Sequence, residues 1–260
     1  MDLEKNILYP HPLRTHSLLK SLVHDIWTEV YKWLIGIYKR VFIVTAPPPP
    51  SSPLIIFLLG APGAGKGTQA TLLQQSFREI TLVSYGDLIR HHDNIPGSWV
   101  NRLPRRKSKS KSKSKSGNGN PIVPADVAAR LVRETIQGQA KKKMIWLVDG
   151  FPRCREHVEA WWGISTATTM KYVVVYLSCP RDVLVQRVLA RAERPGDKDR
   201  EVVEERVDRN IDEREGLVES LEELGVVVRE VDAGRNVDVV RREVCDIYRE
   251  AVGDWKDGRR

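Results

Sequence analysis

Long apolar runs are missing from this chain of 260 residues. None reaches the ~18 residues that a membrane-crossing helix needs. Cysteine is scarce, and Cys154, Cys179 and Cys245 are far apart and odd in number. Without a CxxC pair the sequence indicates neither a zinc site nor a disulfide framework. Reduced thiols suit a cytosolic compartment, with a nuclear one also open. An acidic excess is absent too. The net charge is +8, but the seven basic residues between Arg105 and Lys115 carry nearly all of it. Without them 35 basic residues stand against 34 acidic ones, so no basic domain face for nucleic acid is implied. That run also lacks interleaved aromatics, which argues against a single-strand binding platform. The opening residues, with Asp2 and Glu4, do not read as a cleavable signal. Hydrophobic residues make up 41%, below the usual globular share, so some segment lies outside any core.

What is present divides the chain. Residues 1–53 read as an appendage. Leu19, Leu22, Ile26, Val30, Trp33, Ile37 and Val41 recur in steps of three and four, one apolar stripe of a helix. Four prolines from Pro47, then Ser51, Ser52 and Pro53, make a stiff extended linker. From Leu54 to Val252 short apolar strands alternate with helices. Leu54 to Leu59 is a continuous apolar run, as a strand buried on both faces requires. Further strands are expected at Ile80–Val83, Met144–Val148, Lys171–Leu177 and Gly225–Val231. Helices are expected at Ala125–Gln137, Arg181–Arg191, Glu201–Leu224 and Val237–Val252. This is the pattern of an α/β fold: a five-stranded parallel sheet with helices on both faces. Ligands then bind at the carboxyl edge of the strands. Residues 104–120, a Lys-Ser repeat followed by Gly117-Asn118-Gly119-Asn120, cannot bury apolar surface and read as a disordered insertion. Residues 253–260 read as a tail.

The chemistry starts where the first strand ends. Gly60-Ala61-Pro62-Gly63-Ala64-Gly65-Lys66-Gly67-Thr68 is a P-loop in its strand-loop-helix context, although Gly67 intervenes before Thr68. Its backbone N–H groups suit phosphate oxygens, and Lys66 can reach the outer phosphates. A second apolar strand delivers Asp149, a carboxylate suited to Mg²⁺, directly or through water. His91, His92 and Asp93 lie side by side and read as a polar helix end. The Glu-rich helix reads as a solvated one, with Glu205 opposite Arg209.

In combination these motifs resemble the nucleoside monophosphate kinases, that is, adenylate kinases and UMP-CMP kinases. Gly60 to Gln69 resembles their P-loop, and Asp149-Gly150-Phe151-Pro152-Arg153 their signature segment. Ser84-Tyr85-Gly86-Asp87-Leu88-Ile89-Arg90 resembles the start of the acceptor site, and Ile122-Val123-Pro124 the segment that closes it. Val175 to Pro180, with Arg187 and Arg191, resembles the approach to the lid.

The resemblance implies phosphoryl transfer from ATP, with Mg²⁺, to a nucleoside monophosphate. Positioning and cationic neutralisation carry such a reaction, and no general base is needed. It implies that Gly60, Gly63, Gly65, Lys66, Gly67 and Thr68 hold the donor phosphates and that Arg187 lies against the ATP base. Ser84, Gly86, Arg90, Val123, Gly150, Arg153 and His157 would bind the acceptor within residues 84–124 and the signature segment. Lys66, Arg90, Arg153, Arg191, Arg194 and Arg206 would act on the transferring group. The lid, residues 192–200, is short and carries no zinc ligands. A monomer is the family's expectation. Several residues depart from the pattern. Tyr85 stands where a small residue is usual, and His157 where an amide commonly reads the acceptor base. The usual aspartate pair becomes Asp197-Lys198-Asp199, and Arg194 fits only with a one-residue shift. Trp161 tilts the acceptor towards UMP or CMP, with AMP as the alternative. A diverged ATP-binding member with a regulatory role is a further reading.

Overall fold

A computed structural model of the chain describes residues 52–98, 123–139, 144–163, 170–192 and 196–257. The expected helix and Pro-rich linker before Ser52, the Lys-Ser insertion and Arg194 lie outside the described residues.

Five strands form one parallel sheet. They are β1 (Leu54–Gly60), β2 (Ile80–Ser84), β3 (Ile145–Asp149), β4 (Lys171–Ser178) and β5 (Val227–Asp232), in the order β2-β3-β1-β4-β5. Among the described residues seven helices accompany them: α1 (Lys66–Ser76), α2 (Tyr85–Asn94), α3 (Ala125–Gln139), α4 (Arg155–Trp162), α5 (Arg181–Arg191), α6 (Arg200–Glu222) and α7 (Val237–Asp257). The continuous apolar run of β1 is explained by its central place, because both of its faces are covered.

Alternation along β1 builds two cores. Leu54, Ile56 and Leu58 face α1, α5 and α7, while Ile55, Phe57 and Leu59 face α3 and α4. Phe57 anchors the second core, stacked on Tyr172 at 5.9 Å and set edge-on to Trp161 at 5.8 Å. Trp161 is therefore a core residue, and its indole N–H donates to the Tyr172 hydroxyl at 3.2 Å. The long α6 serves both cores. Val203 and Val207 enter the first, and Leu217 and Leu221 the second.

The C-terminal boundary needs correction. The tail expected over residues 253–260 is helical as far as Asp257, where α7 ends. Trp255 is 6% exposed, and its indole N–H donates to the Ser52 carbonyl at 2.9 Å, tying α7 to the entry of β1. No helix among the described residues is long and apolar enough to cross a membrane.

Candidate active site

The P-loop is shaped by contacts that leave no room for side chains. Gly60 has φ 139, and a Cβ there would lie 2.5 Å from the Leu177 carbonyl oxygen of β4. Gly63 has φ 86, and its Cβ would lie 2.5 Å from the Leu184 carbonyl oxygen of α5. The loop is thus pressed onto β4 and α5 on one side. On the other side the Cβ positions of Gly65 and Gly67 meet no atom within 4 Å. Gly65 caps α1 without a side-chain hydrogen bond, and the first turn holds no acid. The first backbone N–H groups of α1 therefore suit an anion. Lys66 folds over this mouth, its Nζ donating to the carbonyls of Gly60 at 2.6 Å and Ala61 at 2.9 Å. Thr68 is exposed in the same turn.

Asp149 ends β3. Its register partners are Leu58 on β1 and Ser84 on β2, so its carboxylate emerges between the P-loop strand and the start of α2. Carboxylate and hydroxyl oxygens beside a phosphate chain are the hard donors that Mg²⁺ takes, usually with several waters retained. Asp149 and Thr68 fit that ion. Among the described residues no three His, Cys, Asp or Glu side chains gather into a metal cluster.

Tyr85, Gly150 and His157 gather around one arginine, Arg153. Ser84 caps α2 by accepting from the Asp87 N–H at 3.3 Å. Arg90 folds back over Gly86, where a Cβ would lie 3.2 Å from its Nη1, and pairs with Asp87. Val123 is 7% exposed and lies in the same core as Tyr85. Arg153 donates through Nε to the Gly150 carbonyl at 2.8 Å, and its guanidinium carbon lies 4.7 Å from the Tyr85 ring centroid. His157 is buried and stacked on Phe151 at 5.2 Å. Its Nδ1 accepts the Arg153 backbone N–H at 3.2 Å. Burial first, and the Arg153 charge second, hold the imidazole down to about 4, so it is neutral at physiological pH. Burial pushes the neighbouring Cys154 thiol up to about 12, which leaves it protonated and no nucleophile.

The arginines of α5 and α6 form a second group. Arg187 donates to the Ala233 carbonyl at 2.9 Å, so α5 stays near the carboxyl end of β5. Between α5 and α6, Asp197 is 0% exposed; one oxygen accepts from Arg206 at 2.6 Å and the other from Arg191 at 3.4 Å. One carboxylate therefore fixes the spacing of two guanidinium groups from different helices. Asp199 caps α6, accepting from the N–H groups of Glu201 at 3.1 Å and Val202 at 3.3 Å. The helix then runs towards the acceptor side, where half-buried Glu213 feels the charges of Arg209 and Arg153. The Glu205–Arg209 pair forms at 2.9 Å.

Most of the expected residues thus fall into three groups: the P-loop with Lys66, residues 84–90 and 150–157 joined through Tyr85 and Arg153, and Arg191 with Arg206 joined through Asp197. Residue-type reasoning missed the buried roles of Tyr85 and Asp197. A bulky aromatic beside Gly86 was the signal for the first. An acid directly after Gly196, between two arginine-bearing helices, was the signal for the second.

Known proteins resemble this chain over most of its length. The family model described as adenylate kinase matches residues 58–226. The chain is 32% identical over 200 residues to UMP-CMP kinase of Danio rerio, covering 75% of this chain and 96% of that protein. It is 29% identical over 202 residues to UMP-CMP kinase of Homo sapiens, covering 75% and 97%. It is 32% identical over 196 residues to UMP-CMP kinase 2 of Caenorhabditis elegans, covering 75% and 95%.

Proposed function

The chain belongs to the adenylate kinase family and is a nucleoside monophosphate kinase, and we propose that it moves the terminal phosphoryl group of ATP onto UMP or CMP. One observation supports the two-nucleotide reading above others. Leu58, Asp149 and Ser84 are neighbours in register, so the P-loop, the acidic strand end and the acceptor helix leave the sheet side by side.

In this reading the N–H groups of the P-loop and α1 donate to the oxygens of the ATP phosphates, and Lys66 turns from the loop carbonyls to the outer phosphates. Asp149 and Thr68 would hold Mg²⁺, which neutralises charge on the phosphate chain when bound. Arg90 and Arg153 grip the acceptor phosphate, the latter with a planar fork that can bind two oxygens at once. Arg191, Arg206 and Arg194 meet the transferring group as the lid closes over it. Closure excludes water, so the phosphate passes to the acceptor and not to hydrolysis. Arg187 lies against the ATP base. The protein supplies positive charge and alignment throughout, and no side chain has to take a proton from the acceptor phosphate.

The UMP or CMP assignment rests on the likeness to UMP-CMP kinases across three quarters of the chain. AMP is the second acceptor to test, because the matching family model is that of adenylate kinase. A coupled assay of Mg-ATP with UMP, CMP, dUMP and AMP in separate reactions decides between them. UMP or CMP should turn over at least tenfold more efficiently than AMP. Preference for AMP would overturn the pyrimidine assignment.

A further inference from the structure

Arg153 is exposed, yet it is anchored at three points. Its backbone N–H donates to His157 Nδ1, its Nε donates to the Gly150 carbonyl, and its guanidinium lies over the Tyr85 ring. The first two anchors fix the backbone and the near end of the side chain. The Nε bond also pins one edge of the planar guanidinium, and the third anchor supports its face. Tyr85 is itself rigid. It is 3% exposed, and its ring packs against Phe151 at 5.7 Å and edge-on to His157 at 6.0 Å. His157 is stacked in turn on Phe151. These three rings form a socket with one open face, and the guanidinium occupies that face.

We propose that Tyr85 is a positioning residue for the acceptor phosphate, acting through Arg153. The ring's negative face attracts the guanidinium, and its burial prevents the ring from following the arginine outward. With Nε bonded to Gly150 and the ring beneath the guanidinium, its terminal nitrogens Nη1 and Nη2 form the edge that faces a ligand. That edge is where a phosphate is taken up by paired hydrogen bonds. A leucine at this position would fill similar core volume but offer no such seat. The inference rests on the reading of Arg153 as the acceptor-phosphate arginine.

The test compares the full-length wild type with Tyr85→Phe and Tyr85→Leu, using UMP and Mg-ATP. A cation–π contact of this kind corresponds to roughly a three- to tenfold effect. Tyr85→Leu should raise the KM for UMP by that factor, with the KM for ATP unchanged. Tyr85→Phe, which keeps the ring, should stay within about twofold of wild type. An unchanged KM for UMP in Tyr85→Leu would overturn the proposal, as would an equal rise in the KM for ATP or a Phe variant as impaired as the Leu variant. A second readout does not depend on turnover: modification of Arg153 by phenylglyoxal, followed by peptide mass spectrometry. It should be faster in Tyr85→Leu and unchanged in Tyr85→Phe, and equal rates in all three proteins would also overturn the proposal. A wild type that transfers phosphate to no monophosphate would instead overturn the assignment of Arg153 to the acceptor, and the chemical probe would then report on the socket alone.

Discussion

Lys66 carries the heaviest demand of any single side chain in the proposed reaction. Its ammonium is now held by two loop carbonyls at 2.6 and 2.9 Å, contacts that the outer phosphates would replace. Charge at this position counts mainly where negative charge concentrates in the transition state. Lys66→Ala should lower kcat by about 10²- to 10³-fold, with a melting temperature near that of wild type. His157 makes a different prediction. Its folded pKa of about 4 lies below the unfolded value of 6.5, so the folded protein binds fewer protons between those values. Stability therefore falls as pH drops through this window, by about 3 kcal/mol at pH 4 from this group alone. Urea denaturation at pH 7 and at pH 4.5 should show a smaller acid loss in His157→Gln than in wild type. Motif chemistry made the glycines, Lys66, Asp149 and the arginines legible in the sequence. Tyr85 and Asp197 were not legible as partners, because a cation–π seat and a buried bridge depend on residues distant in the chain.

The P-loop and its flanking elements follow from local pattern more directly. A continuous apolar run means burial on both faces, and β1 occupies the centre of the sheet. Alternating segments gave the other strands to within two residues at each end. The first helix of the domain, α1, could not be found by periodicity, because KGTQATLLQQS has no marked apolar stripe. It was legible only as the helix that a P-loop must enter. At this scale Gly60 is the sensitive point. A methyl group at φ 139, 2.5 Å from the Leu177 oxygen, must push β1 and β4 apart or reshape the loop. Gly60→Ala should cost roughly 2–3 kcal/mol of stability and weaken ATP binding by an order of magnitude or more, read by thermal melting with and without Mg-ATP. A stable variant with unchanged ATP affinity would show that the loop tolerates the change.

Two cores on opposite faces of one sheet hold the three groups of site residues in register. Phe57 is central to the core beneath the acceptor cluster, in contact range of Phe151, Trp161, Trp162 and Tyr172. Phe57→Ala should destabilise by about 3–5 kcal/mol, measured by urea denaturation, and raise the KM for the monophosphate more than that for ATP. The parallel α/β architecture was legible from alternation alone. The extent of α7 was not, since the final turns read as a polar tail while Trp255 returns to the start of β1. The role of α6 in both cores was equally hidden, because its charged residues mask two short apolar faces at opposite ends. The fate of one phosphoryl group can be followed by ³¹P NMR in a mixture of Mg-ATP, UMP and the purified protein. The terminal phosphate signal of ATP should decline as ADP and UDP appear in equal amounts, with little inorganic phosphate. An unchanged spectrum, or inorganic phosphate as the main product, would contradict phosphoryl transfer to UMP.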